Sequence, residues 1–361
     1  MQRLSRCFAE TYFDAREKFL DAAARRGATV QSFRNPTPGP EGRELFTDVA
    51  RIGPADAEKV LVVQSATHGI EGYAGSGVQV CWLNDHAKLP DGTAILFVHA
   101  LNPYGFAFTR RFNEDNVDLN RSFIDRTSNS LPENPGYIEL ADLILPPEWT
   151  RAARIAADVK FAAYAAEHGE RALMFAFKQG QYTHPKGVYF GGQKATWSGE
   201  TVKAICAAQL AGAKKAALID IHTGLGAYGH GDCLTTASDV SPEGLRAIEW
   251  YGKVSCTKAS NSSYSGSGCT IIEGYTMAAP HAEWTPIGLE FGTWESEDVR
   301  DAVRADGWLH AYGSPDHPQA KRIKAQLRNA FFPGDPVWRN MVLDRGVEVI
   351  SHGLTGLAAW R

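Results

Sequence analysis

The chain has 361 residues, with a hydrophobic fraction of 44%, a charged fraction of 22% and a formal net charge of −4 at pH 7. This composition is typical of a soluble globular protein with a large core, and the scattered lysines and arginines argue against nucleic-acid binding, which needs a basic patch. No apolar run approaches the roughly 18 residues that cross a bilayer, so we expect no membrane partner.

The N-terminal stretch predicts an amphipathic helix that ends near Gly27. Charges occur throughout this stretch, so it lacks the apolar segment of a signal peptide. The six cysteines are widely spaced and include no CxxC pair. We therefore expect reduced thiols in a cytoplasmic protein.

Apolar runs and helical patterns alternate along the rest of the chain. The runs are typical of strands buried on both faces of a sheet and cover residues 59–65, 93–100, 216–221 and 286–291. The helical patterns cover residues 72–86, 151–168, 200–211, 297–305 and 319–331. The alternation predicts an α/β fold with a mixed or parallel sheet. We expect one domain over residues 1–361, with an insertion or lid at about residues 125–192, a stretch rich in Pro, Gly and aromatic residues.

A first group of polar residues follows the first predicted strand. His68 and Glu71 stand three apart in a glycine-flanked turn, so both can reach one ion from a single loop. Imidazole nitrogen and carboxylate oxygen are ligands that zinc prefers. Taken alone, an HxxE pattern is more often a chance occurrence than a metal site.

A second group ends the third predicted strand. Asp220 and His222 are two apart, so on an extended chain they point to the same face of the sheet. His222 can then be a metal ligand whose ring Asp220 orients. The alternative is a core strand in which the carboxylate caps a helix and the histidine has only a structural role.

The run from residue 110 to residue 121 is dense in Arg, Asn and Asp. An Asn next to an Arg suits recognition of a carboxylate, because the guanidinium matches its two oxygens. A second arginine in the run can stabilise an oxyanion on a scissile carbonyl. The alternative is a solvated loop of turn formers and ion pairs.

Glu290 lies inside an apolar strand of sequence PIGLEF. An unpaired buried carboxylate is costly, so it should have a raised pKa or face a cleft. Near a metal-activated water it would serve as the general base. The alternative is a glutamate on an edge strand that faces solvent.

The order of these motifs resembles the zinc carboxypeptidase superfamily, in particular its succinylglutamate desuccinylase/aspartoacylase branch. HxxE, an arginine, D-L-N-R, D-x-H and an apolar-flanked glutamate occur in that order between about residues 60 and 292. The resemblance implies a three-layer αβα sandwich with a mixed, mostly parallel twisted sheet. It also implies one zinc ion per chain, held by His68, Glu71 and His222, although other divalent ions accept the same ligands.

The same resemblance assigns roles to the remaining polar residues. Glu290 is the general base, and Arg111 acts on the carbonyl oxygen, with Arg110 as the alternative. Asn120 and Arg121 hold the carboxylate of the substrate. The expected activity is cleavage of an amide bond next to a carboxylate-bearing amino acid, as in a carboxypeptidase or an N-acyl-amino-acid deacylase. The substrate is a small molecule or short peptide, and an oligomer is compatible with the sequence.

The tyrosine that closes over substrate in carboxypeptidases has no clean match. We take Tyr275 as the substrate contact, with Tyr264 as the alternative. Within the predicted lid, Gln181, Tyr182 and Lys186 are further candidates, and a plain surface excursion is an equal alternative.

Other functions fit less well. A GxGxxG pattern over residues 224–229 follows a strand, but no helix pattern follows it, as dinucleotide binding would require. No GxSxG motif of a serine hydrolase occurs. The main alternative is a catalytically idle relative that binds a small acidic ligand, and metal content would distinguish the two.

Overall fold

The strands at the centre of the fold form where the sequence has continuous aliphatic runs. The structure, a computed structural model, describes residues 2–85, 88–124, 126, 131–257 and 269–361. Within these residues, eight strands form one sheet. In chain order they are β1 (Thr29–Asn35), β2 (Leu45–Ile52), β3 (Lys59–Gln64), β4 (Thr93–His99), β5 (Lys215–Tyr228), β6 (Gly231–Thr235), β7 (Val254–Cys256) and β8 (Glu283–Gly292).

The sheet is mixed, with a parallel centre. Its strand order is β1-β2-β4-β3-β5-β8-β6-β7. Strands β4, β3, β5 and β8 are mutually parallel neighbours, and β7 is parallel to β6. The antiparallel pairs are β1 with β2, β2 with β4, and β6 with β8. The four strands predicted from the sequence are the four of the parallel centre, which confirms those predictions.

The helices surround this sheet. Those in the described residues are α1 (Gln2–Cys7), α2 (Tyr12–Arg25), α3 (Gly72–Asp85), α4 (Pro103–Ala107), α5 (Pro135–Ile144), α6 (Arg151–His168), α7 (Glu170–Lys178), α8 (Trp197–Gln209), α9 (Pro242–Tyr251), α10 (Ile271–Ala278), α11 (Ser296–Ala311), α12 (Ala320–Phe331) and α13 (Pro336–Ala359). The predicted helices correspond to α3, α6, α8, α11 and α12. The predicted N-terminal helix is divided in two, because Thr11 caps a new helix by accepting from the backbone N–H of Asp14.

Alternate residues of the central strands pack against different helices, as expected for strands buried on both faces. Leu61 and Val63 of β3 belong to a core with residues of α2, α3 and α13. Val60 and Val62 belong to a second core with residues of α8 and α10. The fold is therefore a three-layer αβα arrangement, as the resemblance implies.

Helices α5, α6 and α7 form a layer of their own within the predicted lid. Arg304 of α11 joins this layer to the rest of the molecule, because its fully buried guanidinium donates to the carbonyls of Ile144 and Leu143, each at 2.9 Å. The predictions of one domain and of an inserted lid stay predictions. No helix in the described ranges has the length and apolar character needed to span a membrane. All six cysteines are described, and none forms a disulfide.

Candidate metal centre and cavity

The predicted site residues meet at one cavity beside the carboxyl ends of β3, β5 and β8. His68 and Glu71 come from the loop after β3. His222 of β5 lies directly opposite Glu290 of β8 in the strand register, so their side chains share one face of the sheet. All four side chains, together with Arg111, line this cavity.

The loop that carries His68 is held tightly against the chain that follows β4. The backbone N–H groups of Gly69 and Ile70 donate to the carbonyls of Arg111 and Arg110, at 3.1 and 2.7 Å. A Cβ atom on Gly69 would lie only 2.1 Å from the backbone of Gly105. Position 69 therefore needs glycine for this close approach.

His68, Glu71 and His222 can hold a metal ion. One ligand atom from each lies within 4.8 Å of those of the other two. The three residues are at most 8% exposed. His68 Nδ1 is buried without a hydrogen-bond partner among the described residues, and the nearest carboxylate oxygen, of Asp118, lies 3.6 Å away. A ligand set of two imidazoles and one carboxylate suits zinc and leaves a position for water.

Asp220 orients the ring of His222, as the sequence predicts. Its carboxylate accepts a hydrogen bond from His222 Nε2 and another from Thr67 Oγ1 at 2.7 Å. His222 Nδ1 is therefore directed at Glu71, whose Oε2 lies 2.8 Å away. A carboxylate behind a ligating histidine fixes the ring orientation and raises its basicity.

The electrostatic environment differs among the buried groups. Burial and the nearby Arg111 lower the pKa of His68 well below its usual range. Burial also acts to lower the pKa of His222, but the carboxylates of Asp220 and Glu71 raise it above its usual range. Burial raises the pKa of Glu290 to about 8. A carboxyl group with such a pKa can exchange a proton near neutral pH.

Of the two candidate arginines, Arg111 lines the cavity. Its Nε donates to Asp118 at 2.9 Å, and its Nη atoms lie 3.3 Å from Glu71 Oε1 and 2.8 Å from His68 Nε2. Arg110 instead points into the protein and pairs with Asp306 at 3.2 Å. The structure thus favours Arg111 over Arg110 at the site.

Asn120 and Arg121 also line the cavity, but protein groups already contact both side chains. The Asn120 side-chain oxygen Oδ1 accepts from the backbone N–H of Ile271 at 2.9 Å, and its Nδ2 lies 3.3 Å from His222 Nε2. Arg121 Nε and Nη2 both donate to the carbonyl of Lys178, while Nη1 donates to the carbonyl of Asn120. The expected carboxylate contact of this pair stays a prediction.

Tyr275 does not reach the cavity. Its side chain is fully buried in the core beneath α10, and its hydroxyl donates to Gln64 Oε1 at 2.8 Å. The expectation that Tyr275 contacts substrate is therefore corrected, because an apolar ring on the inner face of a helix packs into the core. The alternative, Tyr264, lies outside the described residues.

Among the cavity residues that escaped the sequence analysis, three have polar or charged side chains that could act on a ligand: Lys178, Tyr189 and Arg300. Lys178 ends α7 and Arg300 lies on α11, far from any recognisable motif. The candidates Gln181 and Tyr182 are buried and hydrogen-bonded to the protein instead. The only signal available was the position of Lys178, directly before the polar run at residues 179–187.

The GxGxxG pattern lies at the end of β5, and β6 follows it. Gly224 and Gly226 have φ values of +120° and +97°, and the pairing of β5 with β8 shifts register between Thr223 and Tyr228. The glycines thus allow an irregular strand end next to His222. The pattern therefore does not open a helix.

Known proteins resemble this chain in structure more than in sequence. No curated protein sequence matches it. Bovine thrombin-activatable fibrinolysis inhibitor, solved in complex with tick carboxypeptidase inhibitor, is 9% identical and matches 95% of this chain and 98% of its own, with a TM-score of 0.45. Murein-tripeptide amidase MpaA from Escherichia coli O157 is 14% identical over 81% of this chain and 97% of its own, with a TM-score of 0.37. Metallo-carboxypeptidase from Burkholderia cenocepacia is 13% identical over 82% of this chain and 66% of its own, with a TM-score of 0.40.

A family match covers most of the chain, from residue 8 to residue 345, including every site residue named above. The family has the description "Protein of unknown function (DUF2817)". The chain belongs to this family.

Proposed function

We propose that this protein is a zinc-dependent hydrolase that cleaves an amide bond next to a carboxylate-bearing amino acid, as a carboxypeptidase or an N-acyl-amino-acid deacylase does. The observation that carries the proposal is the cluster of His68, Glu71 and His222, whose ligand atoms lie within 4.8 Å of one another. The cluster lines the same cavity as Glu290 and Arg111. The proposed metal ligands, the proton-transfer group Glu290 and the cation Arg111 thus line one cavity.

The residues present fit a divalent metal ion. His68 offers a buried nitrogen that no described residue satisfies by a hydrogen bond, and Asp220 holds the ring of His222 from behind. A bound divalent cation would supply Lewis acidity to a water molecule or to the substrate carbonyl oxygen. Nitrogen and oxygen ligands of this kind favour zinc, which we adopt as the proposed ion.

The other cavity residues can carry the proton and charge transfers of amide hydrolysis. Glu290 accepts a hydrogen bond from the N–H of Leu225 at 3.1 Å, which fixes its carboxyl group beside the cavity. There it can take a proton from water and return it to the leaving amine. Arg111, held by Asp118 at 2.9 Å, presents a positive charge where negative charge develops on the carbonyl oxygen.

Metal analysis tests this proposal. We expect about one equivalent of zinc per chain in purified, undialysed protein, since a site with three protein ligands closes around one ion. His68→Ala and His222→Ala should each lose it, because two ligands hold the ion poorly. Elemental analysis of the protein and both variants measures the effect.

The exposed His168 provides a matched control, and His168→Ala should keep its metal. Native protein that holds no metal even after zinc is added would contradict the hydrolase and favour an idle relative that binds a small acidic ligand. Metal that persists in both site variants would place the ion elsewhere. If the metal result holds, C-terminal peptides and N-acyl amino acids are the substrates to screen.

A further inference from the structure

The charges that line the cavity are unevenly distributed. The acidic lining groups are the proposed ligand Glu71 together with Asp220 and Glu290, which lie beside the proposed ligand His222. Arg111 lies among them and contacts Glu71. Three cations, Arg121, Lys178 and Arg300, also line the cavity, but they belong to other elements: the loop after β4, α7 and α11. Basic groups gathered on a cavity wall favour an anionic ligand.

Arg121, the expected carboxylate anchor, is committed to the protein backbone. Two of its nitrogens donate to the Lys178 carbonyl, Nε at 3.0 Å, and Nη1 donates to the Asn120 carbonyl at 2.7 Å. Its aliphatic part packs against Gly180, where a Cβ atom would lie 2.6 Å from Arg121 Cδ. These contacts hold Lys178, at the end of α7, against the loop that carries Arg121.

Lys178 and Arg300 have no such backbone hydrogen bonds among the described residues, although the Arg300 guanidinium lies over the Phe177 ring, 5.1 Å from its centroid. Lys178 forms no ion pair with a carboxylate among the described residues, although it is only partly exposed. Arg300 Nε is buried without a hydrogen-bond partner among the described residues, and the nearest carboxylate oxygen, of Asp301, is 3.9 Å away. Burial lowers the pKa of Lys178, and Arg111, Arg300 and Arg121 lower it further against the opposing effect of Glu290. An anion at this point would relieve the cost of the partly buried positive charges.

We propose that Lys178, together with Arg300, binds the carboxylate of the substrate, and that Arg121 is a positioning residue that holds Lys178 through its backbone carbonyl. The identity of the anion as a substrate carboxylate rests on the proposed function. The residue that selects the substrate would then come from the α5–α7 layer, and not from the D-L-N-R motif.

Two small probes separate this anion site from hydrolysis. The cavity also has an apolar lining, formed by Leu225, Leu234, Ile271, Ile272, Val299 and Phe331. 3-Phenylpropanoate and 3-phenylpropan-1-ol present the same ring with and without a carboxylate, and neither can be hydrolysed. Binding of each probe to the protein as purified is measured by calorimetry or ligand-observed NMR.

We expect wild type to prefer the acid, and Lys178→Met to weaken binding of the acid by about tenfold or more while binding of the alcohol is unchanged. Lys178→Arg should keep the preference, and Arg300→Met should reduce it. Lys186, a candidate from the same segment, is exposed and does not line the cavity. Lys186→Met is therefore the matched control and should behave as wild type. Metal content should be unaffected in all four variants.

The role of Arg121 is tested by combining substitutions. Arg121→Met alone should weaken binding of 3-phenylpropanoate, because the substitution displaces Lys178. In the Lys178→Met background, Arg121→Met should add less than twofold, since the two residues act as one unit.

Four results would overturn the proposal. One is the absence of any preference of wild type for the acid. Another is full retention of the preference in Lys178→Met. The third is an independent, additive loss in the double variant, which would make Arg121 the direct anchor. Loss of acid binding in His68→Ala with none in Lys178→Met would place the carboxylate on the metal. Failure of the proposed function is seen separately, as absent metal or absent turnover.

Discussion

At the scale of single residues, the surroundings of Glu290 are those expected of a general base. It lies in register with His222, it accepts one backbone hydrogen bond, and burial raises its pKa to about 8. A carboxyl group in such a place can exchange a proton near neutral pH. Among the described residues, it forms no ion pair that would require it to stay ionised.

We expect Glu290→Gln to lower kcat by about 10²–10⁴-fold, the usual contribution of a general base. The amide is nearly the same size as the carboxyl group, so metal binding should remain. Turnover of an N-acyl amino acid or peptide found in the substrate screen, with zinc content measured on the same sample, checks both.

Glu283→Gln, on the exposed end of the same strand, is the control and should leave both quantities unchanged. Loss of metal together with activity in Glu290→Gln would make Glu290 a ligand or a structural group instead.

At the scale of elements, the loop after β3 decides the geometry of the proposed metal ligands His68 and Glu71. It can carry His68 and Glu71 into one cluster only because the chain after β4 passes directly against it. The backbone of Gly105 and Phe106 fills the space where a side chain at position 69 would be. The HxxE motif therefore depends on the glycine inside it.

Gly69→Ala should destabilise the protein by about 3 kcal/mol or more, because the new methyl group meets backbone atoms that cannot move aside. The midpoint of urea unfolding measures the change, and zinc content should fall as the loop is displaced.

Gly212 has nothing within 4 Å of its virtual Cβ and no positive φ. Gly212→Ala should accordingly stay within about 0.5 kcal/mol of wild type. A Gly69→Ala protein with wild-type stability and metal content would show that the two loops do not pack as closely as described.

At the scale of the whole molecule, a buried histidine outside the cavity couples stability to pH. His99 ends β4, is fully buried, stacks on Phe19 at 4.5 Å and lies 2.9 Å from Ser76 Oγ. Burial lowers its pKa to about 4. An unfolded histidine, with a pKa of about 6.5, binds a proton that the folded protein excludes. The contribution of His99 to stability is therefore complete above about pH 6.5 and is lost as the pH falls towards 4.

We expect the unfolding free energy of wild type to fall relative to that of His99→Asn by about 1 kcal/mol per pH unit between pH 6 and pH 4.5. Urea unfolding of both proteins at several pH values measures the difference. His168→Asn, at an exposed helix end, should run parallel to wild type. A constant difference between wild type and His99→Asn would contradict this account of the buried ring.

How far the sequence predicts the fold varies with the element. Strands β3, β4, β5 and β8 are visible as aliphatic runs, because both their faces are buried. Strand β1 is not, since most of its residues are exposed and polar. Helix α13 is the longest in the described residues, but the sequence analysis did not predict it. Its apolar residues lie on several sides of the helix, so the sequence shows little helical periodicity.

The sequence by itself determined the α/β sheet and the residues on which the proposed function depends: the proposed metal ligands His68, Glu71 and His222, and the proposed general base Glu290. Those signals are local, because each motif lies within or directly after a strand that its own apolar residues reveal. Only the tertiary structure decided between Arg110 and Arg111, moved Tyr275 into the core and brought Lys178 and Arg300 to the cavity. These outcomes depend on which distant elements pack together, and the spacing of residues along the chain does not predict such long-range contacts.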